Sequence, residues 1–463
     1  MRIMVAAPSS GSGKTTLTCA LLALLKNRGK SPVSFKCGPD FIDSMFHERV
    51  LGVPSENLDS FFCTAEQIRG IFSKSFSESK ADCAVIEGVM GLFDGLAGKS
   101  LIASSYEVAG ITNTPILLVL DSSGMSRSIV PLVKGFCDYA KKNSVCNNGI
   151  IKAVFLNKCS KSQYELLKPQ IEAECDVKVV GFLPKNSENV WKSRHLGLIL
   201  PSEIEDLKCQ IQKTAEILSE TLNFTLLEEI MRSSPEINSS NFSDFDFPVC
   251  EKECSENSPI IAVARDEAFC FYYRENLRLL EQAGATLRYF SPLNDSVLPS
   301  DAQGILIGGG YPELYADRLQ DNSSMLESIK SAVKNGISVM AECGGFMYLQ
   351  EKLTDEKGES YRMCGAIDGE SFYTGRLVRF GYGEFSAGSK KSWLGENSMI
   401  KGHEFHYFDS TNNGTDFTAK KTLSNKNWQC MIQSERMLVG FPHLYYRSNP
   451  NILRCFLESC KKG

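Results

Sequence analysis

The sequence predicts an α/β protein built as two domains. Three observations predict this. Short apolar runs alternate with helix-patterned stretches and the joins are short, the pattern of a mostly parallel sheet. Residues 233–258 shift to Ser, Asn, Asp and Glu with scattered prolines and little periodicity, which reads as a linker. At 463 residues the chain is too long for a single hydrophobic core. The expected domains are therefore 1–232 and 259–463.

The totals exclude several classes. Hydrophobic residues at 43% and charged residues at 23% describe an ordinary soluble globular protein. The net charge is −5 with both signs mixed along the chain, so neither nucleic acid nor an anionic membrane is expected as a partner. No apolar run approaches the ~20 residues of a membrane helix. Met1–Ala7 is too short for a signal peptide and reads as a first strand. Seventeen cysteines without regular pairing fit a reducing cytoplasm. Cys250 and Cys254 lie in a polar segment with no nearby histidine, which is weak ground for a zinc site.

In the first domain, the strand is followed by Ala7-Pro8-Ser9-Ser10-Gly11-Ser12-Gly13-Lys14-Thr15-Thr16 and then a leucine-rich helix ending at Gly29. Strand, glycine loop and helix make a phosphate cradle. Backbone N–H groups of Gly11, Ser12, Gly13 and Thr16 face phosphate oxygens, Lys14 adds a positive charge, and Thr15 offers a hydroxyl to Mg²⁺. The first glycine of the strict P-loop pattern falls on Pro8, while the Gly-x-Gly-Lys-Thr-Thr end is intact. A second strand, 31–36, runs into Cys37-Gly38-Pro39-Asp40-Phe41-Ile42-Asp43. Ligands bind at such strand ends. Lys36 suits a phosphate or a substrate carboxylate, and Asp40 suits Mg²⁺; the plainer alternative is a solvated turn. A helix over 64–79 precedes the strand Cys83–Ile86, which ends in Glu87. An acid there is the usual second metal ligand beside a P-loop. The glycine-rich loop that follows carries Asp94. Further strands are expected at 115–120, 151–156 and 177–182, with a helix at 126–141. Asn157-Lys158 ends one of these strands, and Ser160 stands where guanine-binding proteins carry aspartate, so adenine is the expected base.

The second domain opens with the strand 259–264, a helix over 272–283 and the strand 286–290. The strand 304–307 leads into Gly308-Gly309-Gly310-Tyr311-Pro312-Glu313. Three glycines after a strand bring bare amides near a ligand, as an oxyanion hole requires. The run 337–342 then ends at Cys343-Gly344-Gly345, read as strand, tight turn and helix start. A thiol on this turn is expected to stand exposed beside backbone amides and a helix N-terminus, which favours thiolate. Cys343 is the candidate nucleophile, the plainer alternative being a buried structural cysteine, with Gly309 and Gly344 as oxyanion donors. Of five histidines, His443 follows the strand 437–440 late in the same domain and is the candidate base. His403 and His406 lack the zinc spacing and read as part of a strand lining a substrate cleft.

Together, Ser10–Thr16, Lys36–Asp43, Glu87–Gly95, Gly308–Glu313, Cys343-Gly344-Gly345, Gly402–Tyr407 and His443 make the chain resemble the cobyrinate a,c-diamide synthases. These are the corrin-amidating synthetases of cobalamin biosynthesis, and the resemblance covers nearly the whole chain. It implies an ATP-binding domain like dethiobiotin synthetase and a class I glutaminase domain. It implies MgATP, with L-glutamine or free ammonia as nitrogen source and a tetrapyrrole polycarboxylate as substrate. Asp43, Asp94, His403 and His406 are then expected to position that substrate, and a homodimer is the assembly considered. Many class I glutaminases carry a glutamate two residues after the histidine; here that residue is Tyr445, so no third member is named. Nickel-sirohydrochlorin and hydrogenobyrinate are alternative macrocycles for the same chemistry. A P-loop switch ATPase is a more distant alternative, and it leaves Cys343 and His443 without a task.

Overall fold

A computed structural model of the chain describes residues 1–143, 150–185, 204–237, 258–388, 393–395 and 398–461. It forms two compact units, Met1–Asp244 and Phe245–Gly463. Most of the expected linker, and Cys250 and Cys254, lie outside the described residues.

The first unit alternates strand and helix. Its elements are β1 (Arg2–Ala6), α1 (Lys14–Asn27), β2 (Pro32–Cys37), α2 (Phe41–Leu51), β3 (Ser55–Leu58), α3 (Ala65–Glu78) and β4 (Cys83–Glu87). There follow α4 (Ser105–Ile111), β5 (Ile116–Asp121), α5 (Ile129–Lys142), β6 (Ile151–Asn157), α6 (Lys161–Cys175) and β7 (Lys178–Phe182). The unit closes with α7 (Ile204–Thr221) and α8 (Phe224–Arg232). All seven strands run parallel in the order β3-β2-β4-β1-β5-β6-β7. Parallel strands are covered on both faces, and β1, β2 and β4 are buried along their whole length. The leucines of α1 pack there with α7 in one apolar cluster. Local signals hold the helices: Thr64 and Gln67 form a reciprocal capping box on α3, and Asp40 caps α2. The carboxyl ends of β1, β2, β4 and β6 share one edge of the sheet, so the glycine loop, Lys36, Glu87 and Asn157 meet there.

The second unit opens with β8 (Ile260–Ala264), β9 (Phe269–Phe271), α9 (Arg274–Gln282), β10 (Thr286–Phe290), β11 (Gly304–Ile307) and β12 (Gly309–Gly310). Next come α10 (Ala316–Asp321), α11 (Ser323–Lys334), β13 (Ser338–Glu342) and α12 (Gly344–Leu349). A run of short strands follows: β14 (Lys352–Thr354), β15 (Ser360–Arg362), β16 (Glu370–Tyr373), β17 (Arg379–Ala387), β18 (Met399–His406) and β19 (Phe408–Ser410). The chain ends with β20 (Phe417–Lys421), β21 (Asn427–Cys430), β22 (Ile432–Gln433), β23 (Met437–Gly440), β24 (His443–Leu444) and α13 (Asn451–Cys460). The main sheet has the order β10-β8-β11-β13-β23-β22, parallel except for β22. Three smaller sheets, the antiparallel pair β12-β9, β15-β14-β16-β19 and the antiparallel β21-β20-β17-β18-β24, complete the described part of the unit. β11, β13 and β23 are adjacent, so the glycine loop, Cys343 and the approach to His443 leave one edge together.

Candidate active sites

In the first unit, β1 delivers the chain into a loop whose glycines adopt conformations closed to other residues: Gly11 has φ 78° and Gly13 φ 98°. Lys14 donates to the carbonyls of Ser9 (3.1 Å) and Met90 (2.5 Å), so its ammonium sits across the loop. Burial, and then the neighbouring Lys36 charge, push its pKa down to about 8. Asn157 reaches the loop from β6, its amide donating to the Ser12 carbonyl at 3.0 Å.

A buried polar network lies behind this loop. The Thr15 hydroxyl donates to Glu87 Oε1 at 2.6 Å, and Lys36 Nζ lies 3.0 Å from the same oxygen. Lys36 also pairs with Asp43. The second oxygen of Glu87 faces His47 Nε2 at 3.3 Å, and His47 Nδ1 meets the Ser34 hydroxyl at 3.0 Å. Burial alone would raise the Glu87 carboxyl; Lys36, His47 and Thr15 outweigh it and hold the group well below the usual range. Burial likewise opposes the Lys36 charge, and the two carboxylates keep it protonated. One cation therefore serves two acids. Asp43 is the one that yields, pushed up to about 8 by burial and then by the Glu87 charge.

Thr15 and Glu87 are hard oxygen donors in contact, which fits Mg²⁺. Among the described residues no group of three or more His, Cys, Asp or Glu can hold a metal ion. Mg²⁺ usually takes only one or two carboxylates beside phosphate and water, so a short donor set is in keeping. Asp40 uses one oxygen to cap α2 through the Ile42 N–H at 2.8 Å. Asp94 closes its own turn, accepting from the Gly91 N–H at 2.8 Å.

In the second unit, Cys343 occupies the junction of β13 and α12 with φ 49° and ψ −108°. A non-glycine residue there carries strain of about 1–3 kcal/mol, held because the turn is fixed from all sides. The Cys343 N–H donates to the Gly440 carbonyl (2.8 Å) and the Gly345 N–H to the Gly308 carbonyl (3.0 Å). A side chain on Gly345 would strike the Ile307 carbonyl at 2.2 Å, so only glycine lets α12 press this close to β11. His443 arrives from β23, and β24 fixes it by pairing with His403 in β18. Its ring packs on the glycine loop: a methyl on Gly309 would lie 2.4 Å from His443 Cε1. Gly310 N lies 3.1 Å from where a Gly344 side chain would begin, so the two backbones that were expected to hold an oxyanion are neighbours.

The expected exposed thiolate is corrected. Cys343 is 8% exposed and belongs to the apolar core, and all six residues of α12 are buried. Burial, followed by the nearby Glu313 carboxylate, pushes the thiol well above its ordinary pKa, and the Gly344 N–H bonded to the sulfur offsets only part of this. The helix start is real; desolvation outweighs it. His443 is pushed down to about 3 by burial and then by His403 and His406, so it rests as a neutral imidazole. His403 falls to about 4 for the same first reason. His406 is stacked on Phe441 at 4.3 Å, with Nδ1 on the Phe408 carbonyl at 2.6 Å and Nε2 facing Glu404 at 3.4 Å.

Comparison with known proteins agrees with the two-unit reading. Residues 3–198 match the family model of the CobQ/CobB/MinD/ParA nucleotide binding domain, and residues 260–449 match that of the CobB/CobQ-like glutamine amidotransferase domain. A cobyrinate a,c-diamide synthase of Caldanaerobacter subterraneus subsp. tengcongensis is 36% identical over 460 residues, 99% of this chain and 98% of that protein. Those of Listeria innocua and Clostridium acetobutylicum are each 37% identical, over 98% of this chain and 98% of their own. The chain belongs to the cobyrinate a,c-diamide synthase family.

Two buried residues of this family member went unread in the sequence. His47 lies on α2, which packs against β2 and β3, and its Nε2 reaches Glu87 at the end of β4, the strand next to β2. Glu342 ends β13 beside Cys343, and its Oε2 stands 3.8 Å from His443 Nδ1. The signal used for Glu87, an acid closing an apolar strand, was present at Glu342 as well.

Proposed function

We propose that this chain amidates the a and c side-chain carboxylates of cobyrinate, using ATP to activate each carboxylate and glutamine or ammonia as the nitrogen source. The observation that carries the glutamine half is the strained turn at Cys343 with the His443 ring packed on the glycine loop beside it. The names of the full-length relatives support the substrate.

ATP binds over Gly11–Thr16, with Lys14 at the phosphates. Thr15 and Glu87 would hold Mg²⁺, with Asp40 nearby on the same edge; the ion, when bound, offsets phosphate charge. A macrocycle carboxylate attacks the γ-phosphorus, ADP leaves, and an acyl phosphate forms. Activation is required because hydroxide is a poor leaving group from a carboxylate. Asp43 and Asp94 orient the macrocycle in this reading.

At the second unit, His443 takes the thiol proton as Cys343 sulfur attacks the glutamine amide carbon. The tetrahedral oxyanion accepts from amides of the Gly309 region and Gly344. Proton return from His443 releases ammonia, and water then cleaves the thioester to glutamate. A resting thiol suits this order, since the proton must go to His443 in any case. Ammonia displaces phosphate from the acyl phosphate and gives the amide. The reading includes a cytoplasmic setting and a homodimer, which sedimentation tests.

The test divides the halves. Cys343→Ala should abolish glutamine-driven amidation and keep ammonia-driven amidation, whereas Lys14→Ala should remove both. Loss of both activities in Cys343→Ala, or turnover in Lys14→Ala, would refute the division. Offering cobyrinate, hydrogenobyrinate and nickel-sirohydrochlorin in turn, and counting added amides by mass, tests the macrocycle.

A further inference from the structure

We infer that Glu342 is the positioning residue of the glutaminase site: its carboxylate fixes the tautomer and orientation of His443 so that the imidazole can accept the Cys343 proton. The inference rests on the Cys343–His443 reading above. Glu342 is 7% exposed and closes the strand that delivers the nucleophile. One oxygen is fastened to the segment around His443, accepting from the Leu444 N–H at 3.4 Å and the Tyr446 hydroxyl at 3.1 Å. The other oxygen is thereby aimed at His443 Nδ1, 3.8 Å away. The far side of the segment is held by Asn276 of α9, whose amide donates to the Leu444 carbonyl at 2.7 Å and whose oxygen accepts from the Tyr446 N–H at 2.9 Å. The carboxylate thus meets a clamped segment.

The position two residues after His443 cannot supply this acid. Tyr445 is buried there, its ring edge-on to Tyr273 at 5.2 Å. The requirement itself is chemical. An imidazole takes a proton at Nε2 only when its remaining hydrogen sits on Nδ1, and a carboxylate acceptor beside Nδ1 selects that tautomer. Burial raises the resting Glu342 carboxyl to about 8, so the ionised form that selects this tautomer, and that stabilises the imidazolium once the thiol proton has moved, is gained as pH rises through that value.

The test, run above about pH 8 where the carboxylate is ionised, is Glu342→Gln, which keeps the size of the side chain and an oxygen for Leu444 and Tyr446. Its amide donates to Nδ1 and selects the wrong tautomer. The expected result is a fall on the order of 10²–10³-fold in kcat for glutamine hydrolysis, somewhat less than for a closely bonded triad acid. KM for glutamine should stay within about threefold, because the group does not touch substrate. Ammonia-driven amidation should be unchanged, and Glu342→Asp, which keeps the charge, should recover part of the loss. A second measurement does not depend on activity. The chain has five histidines, so ¹⁵N-histidine labelling resolves His443, which should carry its hydrogen on Nδ1 in the parent and on Nε2 in Glu342→Gln. Full glutamine turnover in Glu342→Gln, or an Nε2–H tautomer in the parent, would overturn the inference while leaving Cys343 and His443 in place. Retained glutamine use in Cys343→Ala would instead overturn the reading beneath it, and this inference with it.

Discussion

Gly309→Ala should disable glutamine use by moving one ring. A methyl carbon there would lie 2.4 Å from His443 Cε1 and 3.3 Å from both ring nitrogens. Ordinary contact begins near 3.4 Å, so the imidazole must withdraw by about 1 Å. The backbone at Gly309 is not left-handed, so the substitution carries no conformational penalty of its own. The ring has little room to retreat, because His443 is buried and its strand is paired with His403. A displacement of this size at a reacting group costs about 10²-fold in rate, or about 2.7 kcal/mol of transition-state stabilisation. The assay is glutamine hydrolysis with excess ATP and macrocycle, run beside ammonia-driven amidation by the same preparation. The expected pattern is a kcat loss of that order for glutamine and none for ammonia. Parent-level glutamine hydrolysis would refute the placement of His443 against the glycine loop. Equal loss with both nitrogen sources would refute the claim that the effect is local to the glutaminase site.

Glu87→Gln should abolish amidation from either nitrogen source while destabilising the fold by less than the ~3–5 kcal/mol typical of an orphaned buried charge. The reason is Asp43, whose pKa is raised in part by Glu87 and which ionises against Lys36 once that charge is gone; urea denaturation measures the outcome, and a full-sized loss of stability would contradict it. The melting temperature should fall between about pH 6.5 and 8. Glu313, Glu342 and Asp43 have folded pKa values raised to about 7, 8 and 8, so across that window the folded state binds more protons than the unfolded and loses stability as pH rises. His403 and His443 are lowered, so their gain accrues as pH rises to and just past the unfolded value of 6.5; only its tail opposes the fall at the start of the window. Glu342→Gln should flatten the decline, and an unchanged slope would count against a raised Glu342. Iodoacetamide at neutral pH should label exposed Cys209 well before Cys343, with the lag shrinking as pH rises, as peptide mass spectrometry would record; equal rates would contradict a buried resting thiol.

Where the sequence pattern was strong, the fold was legible. The strands 286–290, 304–307 and 437–440 and the helix after Thr64 fall where periodicity and caps place them. The stretch 352–433 was mostly not legible. Many of its strands are only three to five residues long and half-exposed, too short for a local period to mark them. The grouping of Thr15, Lys36 and Glu87 follows from strand ends meeting at one sheet edge, which a parallel sheet makes predictable. The depth of Cys343 was not predictable in this way. It depends on α12 pressing onto the Ile307 carbonyl, a contact made across the sheet rather than along the chain. Glu342 was hidden for a related reason: its role exists only because His443, about a hundred residues later, folds back beside it.

The left-handed backbone of Cys343 also bears on how this family drifts. The thiol fills a place in the apolar core, but the φ value favours glycine. Removing the side chain there would relax the turn by about 1 kcal/mol or more, so the most stable occupant of this site is not the reactive one. A chain freed from the need for glutamine, by a steady supply of free ammonia, would thus meet a downhill route to losing its nucleophile while keeping its fold. Cys343 stands against the local conformational preference, and on the proposed reading the strain at this one residue serves turnover and not the fold.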